Sequence, residues 1–144
     1  MDSNAAIILQ QMMDSEDSDY LTHLTAFKYP SSLHSQCLAA DKDGFFSLTF
    51  YEDLAGFFCL RGIDRGYTKP SFGVFVSSKY KGNGIASQAL LNAENWCKKR
   101  SIKCMMLKVS ENNSRASDLY KNNGFVVVGL CPDSGQIVME KRVF

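Results

Sequence analysis

Residues 71–100 constrain the fold of this chain more than any other stretch. An apolar run at residues 71–76 leads into a short basic loop that carries Gly82 and Gly84. The loop opens directly into residues 85–100, whose apolar side chains recur at helical spacing. Unpaired N–H groups at a helix start attract anions, and glycine lets a phosphate approach the backbone closely. The segment therefore predicts a strand, a phosphate-binding loop and a helix, and a plain tight connection is the alternative.

Two common nucleotide-binding motifs do not fit this loop. The phosphate loop of NTPases requires a Lys-Ser or Lys-Thr pair after its second glycine, and none follows Gly84. The dinucleotide fingerprint requires a third glycine where this chain has Ser87. The expected ligand is therefore a diphosphate that is held in some other way.

The composition of the whole chain excludes several classes of protein. A length of 144 residues suits one domain over residues 1–144, and a net charge of +1 provides no field for nucleic acid. No apolar stretch approaches the length of a membrane span. Five scattered cysteines without metal-like spacing predict free thiols in a reducing, cytoplasmic compartment and no metal site.

The other segments predict alternating strands and helices. Strands are expected at residues 5–11, 45–51, 54–61, 102–109, 125–130 and 136–142, besides the strand before the loop. Further helices are expected to begin at residues 14–17 and to span residues 32–40 and 114–122. Strand–helix–strand units imply parallel pairing in the middle, and the early hairpin is antiparallel, so the fold class is a mixed α/β sheet.

The glycine loop and a second motif downstream together resemble the GNAT family of N-acetyltransferases. The family's loop pattern is Gln/Arg-x-x-Gly-x-Gly/Ala, which residues 79–84 and residues 81–86 both match with lysine in place of Gln/Arg. Residues 113–120 match the family's Asn-x-x-Ala-x-x-Leu-Tyr, and residues 124–125 match its Gly-Phe. The two motifs occur in the expected order, which is more specific than either motif alone.

The resemblance implies a fold and a donor substrate. The fold is a mixed, mostly antiparallel sheet with a central pair of splayed parallel strands and flanking helices. The donor is acetyl-CoA, and the pantetheine arm of this coenzyme A thioester would bond the backbone of Phe75, Val76 and Ser77. Asn113 matches a position that commonly helps to hold the arm. The diphosphate would lie on the backbone amides of Lys81, Gly82, Asn83, Gly84, Ile85 and Ala86.

The resemblance also implies roles in acetyl transfer to an amine. Tyr120 matches the family's general acid, and a phenol with a pKa of about 10 is protonated at neutral pH; packing against the sheet is the alternative. A backbone N–H near Val76 would polarise the carbonyl group. No carboxylate occurs in residues 71–78, so Asp64 is chosen as the general base, with a loop-capping role as its alternative.

The acceptor and the exact activity are left open by the sequence. Other candidates for the base are Glu52, Asp53 and Glu140. Residues 60–73 resemble family members encoded with surface-polysaccharide pathways, so the expected acceptor is a small-molecule amine, an amino sugar for example. A peptide or a polyamine is an alternative acceptor. An acyl-CoA-binding module without turnover is a second class of function. The expected assembly is a monomer or a homodimer, with no nucleic-acid or membrane partner.

Overall fold

The protein is built from a six-stranded sheet with helices on both faces, as seen in a computed structural model that describes residues 1–16 and 33–144. In chain order the elements are α1 (Ser3–Asp14), α2 (Leu33–Ala39), β1 (Gly44–Phe50), β2 (Asp53–Arg61), β3 (Ser71–Val76), α3 (Ile85–Lys99), β4 (Cys104–Val109), α4 (Ser114–Asn122), β5 (Val126–Leu130) and β6 (Ile137–Arg142). Short 3-10 turns lie at Ile63–Arg65 and Ser78–Tyr80.

The sheet order is β1-β2-β3-β4-β6-β5, which confirms the predicted mixed, mostly antiparallel sheet. Every neighbouring pair is antiparallel except β3 and β4. These two parallel strands are in register only at Ser71 and Met106, where the Met106 N–H donates to the Pro70 carbonyl at 2.9 Å. Beyond this point the strands separate toward their carboxyl ends, so the central pair is splayed.

The first predicted strand, residues 5–11, is wrong, because this segment lies in helix α1. The Asp2 side chain caps the helix by accepting a hydrogen bond from the Ala5 N–H at 2.7 Å. Ala6, Leu9 and Met13 are buried at a spacing of three and four residues, which is the period of a helix. Ile7 and Ile8 are exposed on the other side, so the apolar run that suggested a strand is wider than the buried face.

The remaining predicted elements, apart from the helix expected to begin at residues 14–17, are found close to their expected bounds. Tyr51 and Glu52 form the two-residue turn of the predicted hairpin with positive φ angles of 54° and 85°. The short second helix, the long helix after the glycine loop and the last three elements are also present. The helix expected to begin at residues 14–17 is not supported at Asp14, which ends α1, and the rest of that prediction lies outside the described residues.

Two apolar clusters separate the faces of the sheet. One face packs α3 and α4 against side chains such as Phe72, Leu107 and Met139. The other face packs α1 and the start of α2 against Phe57 and Phe75. The central strands are therefore covered by side chains on both faces of the sheet. The gap between β3 and β4 lies between the two layers of helices. Within the described ranges no helix is long and apolar enough to cross a membrane.

Candidate active site

The glycine loop follows the carboxyl end of β3 and begins α3. Gly82 and Gly84 have φ angles of 82° and 73°, a left-handed conformation that glycine adopts without strain. A Cβ atom built on either glycine would meet no atom within 4 Å, so both backbones face open space. Gly84 is the N-cap of α3 and has no side chain to occupy the first N–H groups of the helix. The residues present therefore fit a bound diphosphate.

Side chains within the loop hold its shape. The Asn83 amide donates to the Tyr80 carbonyl at 2.8 Å, and the Tyr80 ring lies 6.0 Å from that of Phe50 at the end of β1. The Lys79 amine lies 5.4 Å from the centre of the Tyr80 ring. Lys81 is exposed, and Ile85 and Ala86 form the first turn of α3. The six residues predicted to bind the diphosphate are thus brought together on one loop.

The end of β3 presents its backbone to the splay. The Ser77 N–H donates to the Ala55 carbonyl at 2.8 Å, so this amide points toward β2. Because backbone groups alternate along a strand, Val76 directs its backbone the other way, toward β4. Phe75 is in register with Phe57 and fully buried against α1. Of the three predicted contacts to the pantetheine arm, Val76 has the backbone that faces the gap between the strands.

Tyr120 lies on the face of the sheet that packs against α3 and α4. It belongs to α4, which follows β4, yet its ring makes an edge contact with Phe72 on β3 at 6.5 Å between centroids. A second edge contact, at 5.9 Å, joins it to Phe125. Burial raises the pKa of Tyr120 to about 12. Among the described residues no hydrogen-bond partner of the Tyr120 hydroxyl is found.

Asn113 is the N-cap of α4. Its side-chain oxygen accepts a hydrogen bond from the Ala116 N–H at 3.1 Å, which fixes the start of the helix that carries Tyr120. The Asn113 side chain thus has a local structural role. Its predicted contact with the cofactor arm stays a prediction.

Asp64 lies at the opposite end of β3 from the glycine loop. It follows β2 in the 3-10 turn Ile63–Arg65, and Arg61 of β2 is in register with Ser71 at the start of β3. The Asp64 carboxylate accepts hydrogen bonds from the backbone N–H groups of residues 41, 42 and 43 at 3.0, 2.7 and 3.2 Å. The N–H groups of residues 41 and 42 contribute most to lowering the pKa of Asp64. These contacts agree with the loop-capping alternative and count against a general base at this position.

The other candidate carboxylates occupy different places. Glu140 on β6 forms an ion pair with Lys69 at 2.8 Å and is in register with Met106 at the closed end of the splay. Glu52 lies in the exposed hairpin turn. Asp53 begins β2 and is also exposed. Neither Glu52 nor Asp53 makes an ion pair within the described ranges of the chain.

Glu16 was missed by the sequence analysis. Its two carboxylate oxygens accept hydrogen bonds from the Ser78 N–H at 2.9 Å and the Ser78 hydroxyl at 2.8 Å. A carboxylate therefore does lie beside the segment between β3 and the glycine loop, although it comes from the end of α1. The contact joins residues 62 positions apart. No local motif could have indicated it.

One thiol has an unusual environment. The polar groups of the turn beside it, the Ser134 hydroxyl and the N–H groups of Ser134 and Asp133, lower the pKa of the Cys131 thiol to about 7. In contrast, burial raises the pKa values of Cys59 and Cys97 to about 11. All five cysteines are free, as predicted.

A cavity of about 1120 Å³ lies at the other end of the sheet. Its lining includes Asp43 and Gly44 at the start of β1, Lys69 before β3 and Arg100 after α3. In the described part of the chain, none of its lining residues belongs to the glycine loop or to α4. The cavity is therefore distinct from the predicted phosphate loop, and it is next to the residues that Asp64 holds.

Comparison with known proteins identifies the family. The model of the acetyltransferase (GNAT) family matches residues 9–125, which is most of the chain. The chain therefore belongs to the GNAT family, whose members are acetyltransferases that use acetyl-CoA. Comparison with curated protein sequences finds no significant match.

Solved structures share the fold at low sequence identity. The PaiA N-acetyltransferase of Thermoplasma acidophilum, in complex with coenzyme A, is 21% identical, with a TM-score of 0.71 over 98% of this chain and 92% of that one. A ribosomal α-N-protein acetyltransferase in complex with coenzyme A is 15% identical, with a TM-score of 0.81 over 99% and 90%. A chimeric spermidine N-acetyltransferase with a Vibrio cholerae component is 17% identical, with a TM-score of 0.73 over 99% and 93%.

Proposed function

We propose that this acetyltransferase moves the acetyl group of acetyl-CoA directly to a primary amine across the gap between β3 and β4. The observation that carries the proposal is the arrangement of three parts around one gap. The glycine loop lies at the open end of β3, the backbone of Val76 faces the gap, and the Tyr120 ring extends from α4, the helix after β4, to Phe72 on β3.

The chain's own residues account for binding. The N–H groups of residues 81–86 would hold the diphosphate, aided by the positive end of the α3 dipole and by the exposed Lys81. Of residues 75–77, Val76 would bond the pantetheine arm like part of an added strand, since the backbones of its two neighbours are directed toward β2. Asn113 would assist from the start of α4.

The same residues account for the chemistry. Acetyl-CoA supplies an activated thioester. A backbone N–H near Val76 would stabilise the negative charge that develops on the carbonyl oxygen. Tyr120, protonated below a pKa of about 12, would give its proton to the departing thiolate. The amine must lose its own proton, and Asp64 remains the predicted base, although its contacts favour a structural role.

Three classes of acceptor amine are candidates, from the sequence and from the similar structures. The amino-sugar hypothesis depends on residues 61–67, which lie at the far end of β3 from the glycine loop. Two similar structures are named for spermidine and for a protein α-amine as acceptors. An amino sugar, a polyamine and a peptide amine are therefore equal arms of the experiment.

The test is turnover of acetyl-CoA, followed by free thiol release and by the mass of the product. Glucosamine, spermidine and a short peptide with a free α-amine serve as acceptors. Thiol release matched by one acetylated amine supports the proposal. Calorimetric binding of CoA without turnover on any arm would favour an acyl-CoA-binding module instead. Failure of CoA to bind a folded protein would remove the glycine loop from the proposal.

A further inference from the structure

We infer that Glu16 is a positioning residue that holds the phosphate-binding loop in place from the end of α1. The inference rests on the proposed function, because the loop matters only if it binds the diphosphate. Glu16 would act through Ser78 and would not itself contact the bound cofactor.

Glu16 binds Ser78 through both of its carboxylate oxygens. One Glu16 carboxylate oxygen accepts from the Ser78 N–H at 2.9 Å, and the other accepts from the Ser78 hydroxyl at 2.8 Å. Hydrogen bonds to an ionised acceptor are stronger than those between neutral groups. Ser78 is the first residue of the 3-10 turn that leads from β3 into the glycine loop. The two bonds therefore fix both the backbone and the side chain at the entrance of the loop.

Within the described residues, the loop has few other hydrogen bonds to the rest of the protein. The loop is taken as residues 77–83. Within the described ranges, three hydrogen bonds join it to the rest of the chain: the bond from Ser77 to Ala55 and the two that Ser78 donates to Glu16. The bond between Asn83 and Tyr80 is internal to the loop. Holding Gly82 and Gly84 in one conformation costs more entropy than holding other residues. An external anchor at Ser78 would offset part of that cost before the ligand arrives.

The anchor is itself firmly placed. Glu16 follows α1, whose residues Ala6 and Leu9 are fully buried against the face of the sheet that carries Phe75. A short turn then brings the carboxylate to Ser78, and the Ser15 N–H donates to the Gln11 carbonyl at 3.1 Å. The packing of α1 on β3 thus determines where the loop begins.

The experiment compares four single variants and the Glu16→Ala, Ser78→Ala double variant with the wild type. Glu16→Ala removes both bonds, Ser78→Ala removes the hydroxyl bond, and Glu16→Gln keeps an acceptor oxygen while it removes the charge. Asp14→Ala is the matched control, since it removes an exposed carboxylate two residues earlier whose one side-chain hydrogen bond among the described residues is accepted from Gln10. The readouts are the Kd of CoA by calorimetry and the hydrogen exchange of the Ser78 amide, with circular dichroism as the test of folding.

We expect Glu16→Ala to weaken CoA about tenfold and Ser78→Ala about threefold, following the strength of charge-assisted bonds. The double variant should be no worse than Glu16→Ala, because both changes break one contact. Glu16→Gln should bind CoA within threefold of the wild type, and kcat at saturating acetyl-CoA should change little in all of them. Exchange of the Ser78 amide should accelerate in Glu16→Ala and remain slow in Asp14→Ala.

Two results would overturn the inference. One is a folded Glu16→Ala protein that keeps the wild-type Kd for CoA and a protected Ser78 amide. The other is a Glu16→Gln protein that binds CoA normally but loses kcat/KM for the acceptor, which would place Glu16 in contact with the amine. If the wild type itself fails to bind CoA, the proposed function fails. Exchange at Ser78 then still shows whether Glu16 holds the loop.

Discussion

The Tyr120 side chain is buried as a whole, and its hydroxyl has no hydrogen-bond partner among the described residues. The raised pKa of about 12 keeps the phenol protonated throughout the neutral range. Both properties suit a group that donates its proton to a leaving thiolate.

Replacing Tyr120 with phenylalanine is therefore a clean test. The ring contacts with Phe72 and Phe125 are kept, and no hydrogen bond to the rest of the described chain is lost. We expect kcat to fall roughly ten- to a thousandfold, with KM for acetyl-CoA little changed. Steady-state kinetics with thiol detection measures both. A phenylalanine variant with full kcat, where chemistry limits the rate, would leave Tyr120 as a packing residue.

The same variant has a signature in stability. The pKa of Tyr120 in the folded protein lies above the unfolded value of about 10. The contribution of the neutral phenol to the free energy of unfolding is therefore fully present below pH 10 and is lost toward pH 12. Between pH 10 and pH 12 the free energy of unfolding of the wild type should fall by up to about 1.4 kcal/mol per pH unit more than that of the Tyr120→Phe variant. Urea unfolding of both proteins at pH 9 and pH 11 would show the difference.

Asp64 can be tested as a base and as a cap with one substitution. If it caps residues 41–43, Asp64→Asn should lower the Tm and leave kcat/KM for the acceptor within twofold. Because its folded pKa is lowered, the stabilisation is present above the unfolded value of about 3.9 and is lost as pH falls through the folded pKa. The Tm difference should therefore shrink in acid. A fall in kcat/KM that recovers at high pH would instead establish Asp64 as the base.

At the scale of the elements, the end of β3 depends on a glycine in the neighbouring strand. Gly56 of β2 is in register with Val76, and a Cβ atom built on Gly56 would lie 2.0 Å from the Phe75 carbonyl oxygen. That oxygen is backbone and has no side-chain freedom to move aside. Any larger residue at position 56 must push the end of β3 away from β2, at the point where the cofactor arm is expected to bind.

Gly56→Ala should therefore affect stability and binding together. We expect a loss of about 1–3 kcal/mol of unfolding free energy, as for overpacked sites, and at least a tenfold weaker Kd for CoA. Gly129→Ala on β5 is the matched control, since a Cβ there would meet no atom within 4 Å. Urea unfolding and calorimetry measure the two effects. A Gly56→Ala protein that resembles Gly129→Ala in both would show that β3 tolerates the displacement.

At the scale of the whole molecule, local patterns and distant contacts differ in what the sequence reveals. The strand–loop–helix segment is continuous in the chain, so the glycine spacing and the helical period sufficed to predict it. The run at residues 5–11 was ambiguous, because a short apolar stretch fits either a strand or a buried helix face. The hydrogen bond from the Ala5 N–H to Asp2 and the packing of α1 against the sheet stabilise the helix.

The candidate site shows the same division. Tyr120 was predicted as the general acid from a family motif, because a motif carries information about distant packing that periodicity lacks, and this role stays a prediction. The Glu16–Ser78 contact and the binding of Asp64 to residues 41–43 join segments that are far apart in the chain. Side-chain partners of this kind depend on the assembled fold, so composition and spacing could not indicate them.

The two halves of the sheet should be coupled by the ligand. The strands β3 and β4 are in register only at Ser71 and Met106, and a ligand in the splay would touch both halves. CoA at a hundred times its Kd should stabilise the fold by about 2.7 kcal/mol, which is roughly 6–12 °C in Tm for a chain of this size.

Gly84→Asp should abolish the shift, because it places a negative charge and a side chain on the loop amides. Gly66→Asp is the matched control, since Gly66 also has a positive φ and open space around it but lies at the far end of β3. Thermal unfolding with and without CoA tests all three proteins. Equal loss of the shift in both variants would mean that charge or strain anywhere in the molecule weakens CoA, and the loop would lose its special role.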